Sequence, residues 1–381
     1  MESPSVNYAA QRRQRLAQML SEQELEAMLI TNPVNVTYLT GFSGESSFLM
    51  LGCERALLVS DARFTKQIAE ECPGLDVQIR PTAQTLLQAT AEAVRMLGFR
   101  SLGFEKGHLS VGDWETLREL APTVTWKATR ECVEKLRVLK DPSEIAQIRE
   151  AIHIAERAFD AFRALLRPED TEKVLCDALE QYVRRCGGHG TSFPSIVAVG
   201  ERAALPHAPP TERTVAGAEL LLVDWGASGR FYKSDLTRVL APRKNSAFAP
   251  SAGGEHGATK LEAIYEIVLR AQQRALGQIR PGVQGQEVDA AARAVIAEAG
   301  LGEFFGHGLG HGLGLQVHEA PSLRPNSAVI LQPGMVVTVE PGIYLPGWGG
   351  VRIEDDVLVT PDGCEVLTTV TKDLRFLIFD G

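Results

Sequence analysis

No two cysteines of this chain form a CxxC pair. The six stand alone as Cys53, Cys72, Cys132, Cys176, Cys186 and Cys364. That excludes a zinc ribbon or a thioredoxin-type centre. Reduced, structural thiols are expected instead, with Cys176 and Cys186 on a helical pattern as small buried residues, and a cytoplasmic location follows. No stretch of ~20 apolar residues exists to span a bilayer. The opening "MESPSVNYAAQRRQRLAQML" lacks a long apolar core, so a secretory signal is not expected. Dense Lys/Arg runs are absent and the net charge is −9, which argues against nucleic-acid or anionic-membrane partners.

What is present is an ordinary globular composition, 44% apolar and 23% charged, over 381 residues. That length favours two domains. Residues 1–136 read as an α/β domain. "AAQRRQRLAQMLSEQEL" and "AQTLLQATAEAVRMLG" are expected helices, and "AMLITN", "NVTYLTGF", "FLMLG" and "RALLVSDARF" expected strands. The second domain, residues 137–381, opens on a long helix. Asp141 is its N-cap, Pro142 its first position and Glu144 the partner in a capping box. Ile145, Ile148, Ile152, Ala155, Phe159, Phe162 and Leu166 then recur at steps of three and four, one buried face. The segment "RKNSAFAPSAGGEHGA" reads as an exposed loop with a solvated His256.

The second domain repeats its plan. Helices near 143–166 and 171–186 precede a strand pair in "LLLVDWGASGRFYKSDLTRVL". Helices near 257–279 and 285–299 precede another in "MVVTVEPGIYLPGWGGVRIEDDVLV". Each pair carries an acid after apolar residues, Asp224 or Glu340, and a second acid beyond a Gly-containing turn, Asp235 or Glu354. Buried carboxylates are costly unless paired or bound to metal. Four converging without cations would repel and raise one another's pKa. Nearby Arg238 and Arg352 offer a salt-bridge network as the alternative. Between the two acids of the second half and the helices before them lies "HGLGHGLGLQVHE", His307 to Glu319, too rich in glycine for a helix. A bent backbone that brings an imidazole close to a ligand fits it better. Four carboxylates and one imidazole balance two divalent ions, and oxygen donors favour Mn²⁺, Co²⁺ or Mg²⁺ over a structural thiolate-type zinc site. Two such ions suit amide hydrolysis.

These motifs, in this order, resemble the pita-bread metallopeptidases, the group of methionine aminopeptidase, prolidase and aminopeptidase P. "NPVNVTYLTGF" and "VSDARFTKQ" are similar to the creatinase-like N-terminal domain of the proline-specific branch. "SIVAVGERAALPHAPPTERTV", "LVDWGASGRFYKSDLTR", "HGLGHGLGLQVHE" and "VEPGIYLPGWGGVRIEDDVLVT" follow at the family's spacing: 11 residues from Asp224 to Asp235, 29 from His311 to Glu340 and 14 from Glu340 to Glu354. The resemblance implies a mixed α/β (α+β) chain: a small α/β N-terminal domain, then a pseudo-two-fold domain of antiparallel sheet covered by helices. It implies two divalent ions per subunit, manganese first, with cobalt, zinc or iron as alternatives. Asp224, Asp235, His311, Glu340 and Glu354 would be their ligands, with Asp235 and Glu354 bridging.

By the same resemblance His207 and His318 touch substrate, Glu340 moves a proton, and Arg352 reaches the ligand or orients Glu354. His307 and Tyr344 line the pocket, and Arg63 approaches the pocket of a neighbouring protomer in a homodimer. His108, His153 and His189 are assigned to structure. The implied activity is cleavage of the bond between an N-terminal residue and a following proline, aminopeptidase preferred and dipeptidase close behind. The rival readings are an inactive pita-bread domain that binds peptides or proteins, and a hydrolase of another small C–N amide. Retention of all five ligands speaks against the first.

Overall fold

A computed structural model describes residues 7–243 and 259–379; His256 and the segment around it lie outside the described residues. The chain divides into two compact units, Met1–Arg137 and Val138–Gly381. No helix among the described residues is long and apolar enough to cross a membrane.

The first unit is mixed α/β. Its helices are α1 (Tyr8–Glu22), α2 (Pro33–Thr40), α3 (Thr65–Glu71), α4 (Leu86–Leu97), α5 (Val111–Leu120) and α6 (Cys132–Arg137). Its strands are β1 (Ala27–Ile30), β2 (Phe48–Gly52), β3 (Ala56–Asp61), β4 (Asp76–Arg80), β5 (Ser101–Glu105) and β6 (Thr125–Thr129). They form one sheet in the order β4-β3-β2-β1-β5-β6. The stretch "NVTYLTGF", expected as a strand from its β-branched residues, is instead helix α2. Asn32 caps it by accepting from the Val34 N–H, Pro33 occupies its first turn, and Gly41 ends it at φ +80°. These end signals outweigh the propensities of Val and Thr. Arg63 is 68% exposed and held by Asp61 at 2.7 Å.

The second unit carries the repeat. Its first half holds α7 (Pro142–Leu165), α8 (Glu172–Arg185), β7 (Gly190–Thr191), β8 (Ile196–Val199), β9 (Leu221–Trp225), β10 (Ala227–Ser228) and β11 (Leu236–Pro242). The second half holds α9 (Lys260–Leu276), α10 (Gly285–Glu298), β12 (Gly310–Gly312), β13 (Glu319–Leu323), β14 (Val336–Val339), β15 (Gly342–Leu345), β16 (Gly349–Arg352), β17 (Asp355–Val359), β18 (Cys364–Val366) and β19 (Ile378–Phe379). The capping box of Asp141 and Glu144 is present at the start of α7, with Pro142 in its first turn. Of the apolar face, Ile148, Ile152, Ala155, Phe159 and Phe162 are buried, while Ile145 and Leu166 at its ends are partly exposed.

Two larger sheets, ordered β19-β11-β9-β8 and β13-β12-β14-β17-β18, stand beside the two-stranded pairings β10-β7 and β15-β16. β9 pairs antiparallel with β11, and β14 with β17. Alternation along β9 sends Leu221, Val223 and Trp225 into the core under α7 and α8, and Leu222 into the core under α9 and α10. Trp225 fixes this arrangement. Its ring stacks on Phe159 at 4.1 Å and its indole N–H donates to the Ala155 carbonyl. Asp224, next to it in sequence, is thereby held on the opposite face. All six cysteines are free; Cys176 on α8 and Cys186 at its C-cap are partly exposed rather than fully buried, packed against the core under α7 and α8.

Candidate metal centre

An isolated antiparallel bridge between Thr237 and Glu354 links the two halves, and there the Glu354 N–H donates to the Thr237 carbonyl at 3.2 Å. That bridge brings the acids of both halves together. Asp224 lies on β9 opposite Thr237. Asp235 immediately precedes β11, Glu340 follows β14, and Glu354 stands between β16 and β17. His311 is the middle residue of β12. One ligand atom from each of Asp235, His311 and Glu354 lies within 4.8 Å of the others. His311 Nε2 is 3.7 Å from Asp235 Oδ2 and 3.5 Å from Glu340 Oε1.

The orientation of His311 follows from its other contacts. Its backbone N–H donates to Thr338 Oγ1 at 3.0 Å, and Nδ1 lies 3.2 Å from the Gly312 carbonyl. A carbonyl only accepts, so Nδ1 carries the proton and Nε2 turns its lone pair to the acids. Burial first, then neighbouring His318, brings the ring down to about 4, so it is neutral. A lone pair facing carboxylate oxygens at these distances is repulsive unless a cation lies among them.

The acids tell the same story. Burial, then Glu354, Asp224, Asp356 and Glu340, push Asp235 well above the usual carboxylate range. Glu354 is raised by burial, then by Glu340 and Asp224. Glu340, slightly open to the cavity, is pushed up to about 8, chiefly by burial. Asp224 is raised by burial against the opposing pull of Arg352. Arg352 is therefore the counter-charge present: its NH2 donates to Asp224 Oδ2 at 2.5 Å. Asp224 Oδ1 is buried with no hydrogen-bond partner among the described residues. Arg238, the other expected neutraliser, turns away and pairs with Asp355 at 2.8 Å. One arginine against four carboxylates leaves a surplus of negative charge and an orphaned oxygen, and this oxygen-rich set with one imidazole fits divalent cations.

A set of supports was not evident from sequence. Thr237 Oγ1 donates to Glu354 Oε2 at 2.6 Å and accepts from Arg352 Nε at 3.1 Å. Asp356 Oδ2 accepts from the Asp235 N–H. Gln272, fully buried on α9, donates from one amide nitrogen to the carbonyls of Val339 and Ile353 and to Asp355 Oδ2. It therefore ties down the residues just before Glu340 and Glu354. Burial opposes it, but Arg238 and Lys372 hold Asp355 below its ordinary range. "SDLTR" and "AQQRAL" contain these residues, yet nothing in their spacing marks them.

The centre lies at the floor of a cavity of about 900 Å³. His207, His307, His318, Tyr344 and Arg352 all line it. The His318 ring meets His311 edge-on at 4.3 Å. Arg352 NH1 donates to the Tyr344 hydroxyl at 2.9 Å, and that hydroxyl lies 2.8 Å from His307 Nε2. His307 Nδ1 is 2.7 Å from the Gly308 carbonyl, so the chain runs one way: arginine to tyrosine to histidine to carbonyl. Burial brings His307 down to about 4, which keeps it neutral. Within the first unit, His108 Nδ1 lies 3.2 Å from Thr31 Oγ1.

Residues 146–361 match the profile of metallopeptidase family M24, and residues 12–139 match the creatinase/prolidase N-terminal domain. The chain is 32% identical to a Xaa-Pro dipeptidase of Pyrococcus horikoshii, covering 94% of this chain and 97% of that one. Among solved structures, a Xaa-Pro dipeptidase from Bacillus anthracis superposes with a TM-score of 0.89 at 37% identity, over 97% and 100% of the two chains. An X-Pro aminopeptidase from Thermotoga maritima gives 0.85 at 33%, over 95% and 99%.

Proposed function

The chain belongs to metallopeptidase family M24, and from that premise we propose that it hydrolyses the bond between an N-terminal residue and a following proline. The observation that carries this reading is the convergence of Asp224, Asp235, His311, Glu340 and Glu354 around one arginine at the floor of a cavity. These five residues would hold two divalent ions, with manganese the first candidate for so oxygen-rich a set. When bound, such ions acidify a shared water and polarise the scissile carbonyl.

The remaining work falls to the chain's own side chains. Glu340, at the cavity edge of the cluster, takes a proton and passes it to the leaving prolyl nitrogen, which departs poorly unless protonated. His318, packed edge-on to His311, donates to the oxygen on which charge develops. His207 stands beside Pro206, Pro209 and Pro210 in the wall, where an apolar ring finds contact. Arg352 lines the cavity and donates to Thr237, Tyr344 and Asp224, so it orients the residues around Glu354 and keeps further N–H donors for a ligand. The neutral His307–Tyr344 pair keeps that guanidinium in place.

The binding-only reading loses support because all five donors are retained and their charge is left uncompensated. The test is a panel of Ala-Pro, Ala-Pro-Ala, Ala-Ala and Ala-Ala-Ala with manganese-loaded protein. Cleavage confined to the proline-containing members is expected; equal cleavage of the alanine series, or none of either, would refute the reading.

A further inference from the structure

Glu172 is a fully buried carboxylate with no part in the metal centre. It opens α8, yet the helix start does not use its side chain: Thr171 caps α8 by accepting from the Val174 N–H. The oxygens of Glu172 instead take up donors from one stretch of chain. Oε1 accepts from the Val199 N–H at 2.9 Å and from Arg202 Nε at 3.0 Å. Oε2 accepts from Arg202 Nε at 2.8 Å, from the Thr211 N–H at 2.8 Å and from Thr211 Oγ1 at 2.6 Å. Arg202 carries the tie onward, donating from Nη2 to the Pro209 carbonyl. A buried carboxylate is costly unless paired and hydrogen-bonded. Here both oxygens are met, and the donors come from residues 199–211.

Inside that segment stands His207. Pro206, His207, Ala208, Pro209 and Pro210 line the cavity in succession. Residues 205–213 belong to no helix or strand, and three of them are prolines without an N–H. His207 is itself exposed, and among the described residues no hydrogen bond fixes its ring, so its place is set by the backbone that carries it. The second half of the unit holds its corresponding segment in another way. The N–H groups of Glu172 and Lys173 donate to the Arg213 and Thr211 carbonyls, as those of Gly285 and Gln286 donate to the Val329 and Ser327 carbonyls. At Gly285 the chain packs straight onto the helix: an added Cβ would lie 2.7 Å from the Ser322 carbonyl oxygen. There β12 and β13 pair, and β13 begins one residue after His318. The first half thus has a carboxylate where the second has glycine, and a loop where the second has a strand.

We propose that Glu172 is a positioning residue for the reaction: through Arg202 and Thr211 it holds the loop that sets His207 against the substrate. The proposal rests on the Xaa-Pro reading above and on the role given there to His207. Glu172→Gln keeps the shape of the side chain but puts an amide NH2 where a carboxylate oxygen faces donors, so one end of the clamp opens. None of the five metal-binding residues belongs to this clamp, so the change should reach the substrate and spare the ions.

The experiment is a double-mutant cycle on metal-loaded protein. It measures kcat and KM for Ala-Pro and Ala-Pro-Ala with wild type, Glu172→Gln, His207→Ala and the double variant, alongside a manganese titration of each. Glu172→Gln is expected to lose about 10- to 100-fold in kcat/KM, the effect of a misplaced substrate-contacting group, at unchanged manganese affinity. In the His207→Ala background the same change should cost about 3-fold or less, because the group it positions is gone. Thr211→Val removes a single hydroxyl donor to Oε2 and keeps the test open if Glu172→Gln does not fold; its smaller loss should vanish in the same background. Equal losses with and without His207, wild-type kinetics in the folded variants, or a loss that tracks weakened manganese binding overturns the proposal. A wild type that cleaves neither peptide overturns the Xaa-Pro reading itself, and the proposal with it.

Discussion

Gly310→Ala should damage the metal centre without touching any ligand. A Cβ built at Gly310 would lie 2.0 Å from the Thr338 carbonyl oxygen and 2.8 Å from Thr338 Oγ1. Ordinary contact begins near 3.4 Å, so β12 and β14 must part by roughly 1.4 Å. The obstacle is backbone, which cannot rotate aside. His311 is the next residue, and its N–H bond to Thr338 Oγ1 at 3.0 Å crosses that same gap. Parting the strands stretches this bond and carries the ring away from Glu340, now 3.5 Å distant. Overpacking costs about 1–3 kcal/mol, and the lost buried hydrogen bond adds about 1 kcal/mol. For a unit of this size that lowers Tm by about 4–16 °C. Gly363→Ala is the control, because nothing lies within 4 Å of its added Cβ, and its shift should stay within about 0.5 kcal/mol. Thermal unfolding and manganese titration of both variants are the assays. A Gly310→Ala protein with wild-type Tm and wild-type metal affinity would refute the claim that Gly310 permits the close approach of β12 and β14.

Glu340→Gln, fully metal-loaded, should lose about 10²- to 10⁴-fold in kcat, and near-normal turnover would contradict its role as proton carrier. Gln272→Leu should weaken manganese binding about 10-fold or more, because the segments before Glu340 and Glu354 lose their shared tie; an unchanged titration curve would show the tie to be idle. Metal loading at pH 7 should release about one proton or more per chain, since Glu340 alone sits at about 8 without metal. Calorimetry in buffers of different ionisation heat reads this directly, and a buffer-independent heat would count against it. The sign carries over to stability. Glu340 is raised above its ordinary 4.5 in the fold, so its contribution to the metal-free protein is complete below pH 4.5 and is lost as pH rises through about 8. Metal-free protein that grows more stable over that interval would contradict the burial of this carboxylate.

Local chemistry made much of the architecture legible. Asp141, Pro142 and Glu144 announced α7 because a capping box and an N1 proline act within one turn of chain. The mirrored acids could be read because β-hairpins translate sequence separation into position. The helix α2 was misread where short end signals opposed β-branched composition. Cluster membership was also legible for Asp235, His311, Glu340 and Glu354, which the structure gathers. The supports were not. Gln272 reaches the centre across 67 residues to Val339 and 81 to Ile353, and no local pattern encodes a contact of that range. The roles of the two arginines were hidden for the same reason: Arg238 and Arg352 look equivalent in sequence, yet one neutralises Asp355 and the other Asp224.

Anomalous diffraction from crystals soaked in manganese tests the account at its centre. It predicts two peaks per chain, each within about 2.0–2.3 Å of oxygen or nitrogen from Asp224, Asp235, His311, Glu340 and Glu354. An absence of peaks at these side chains under saturating manganese, or metal bound only elsewhere on the surface, would contradict it.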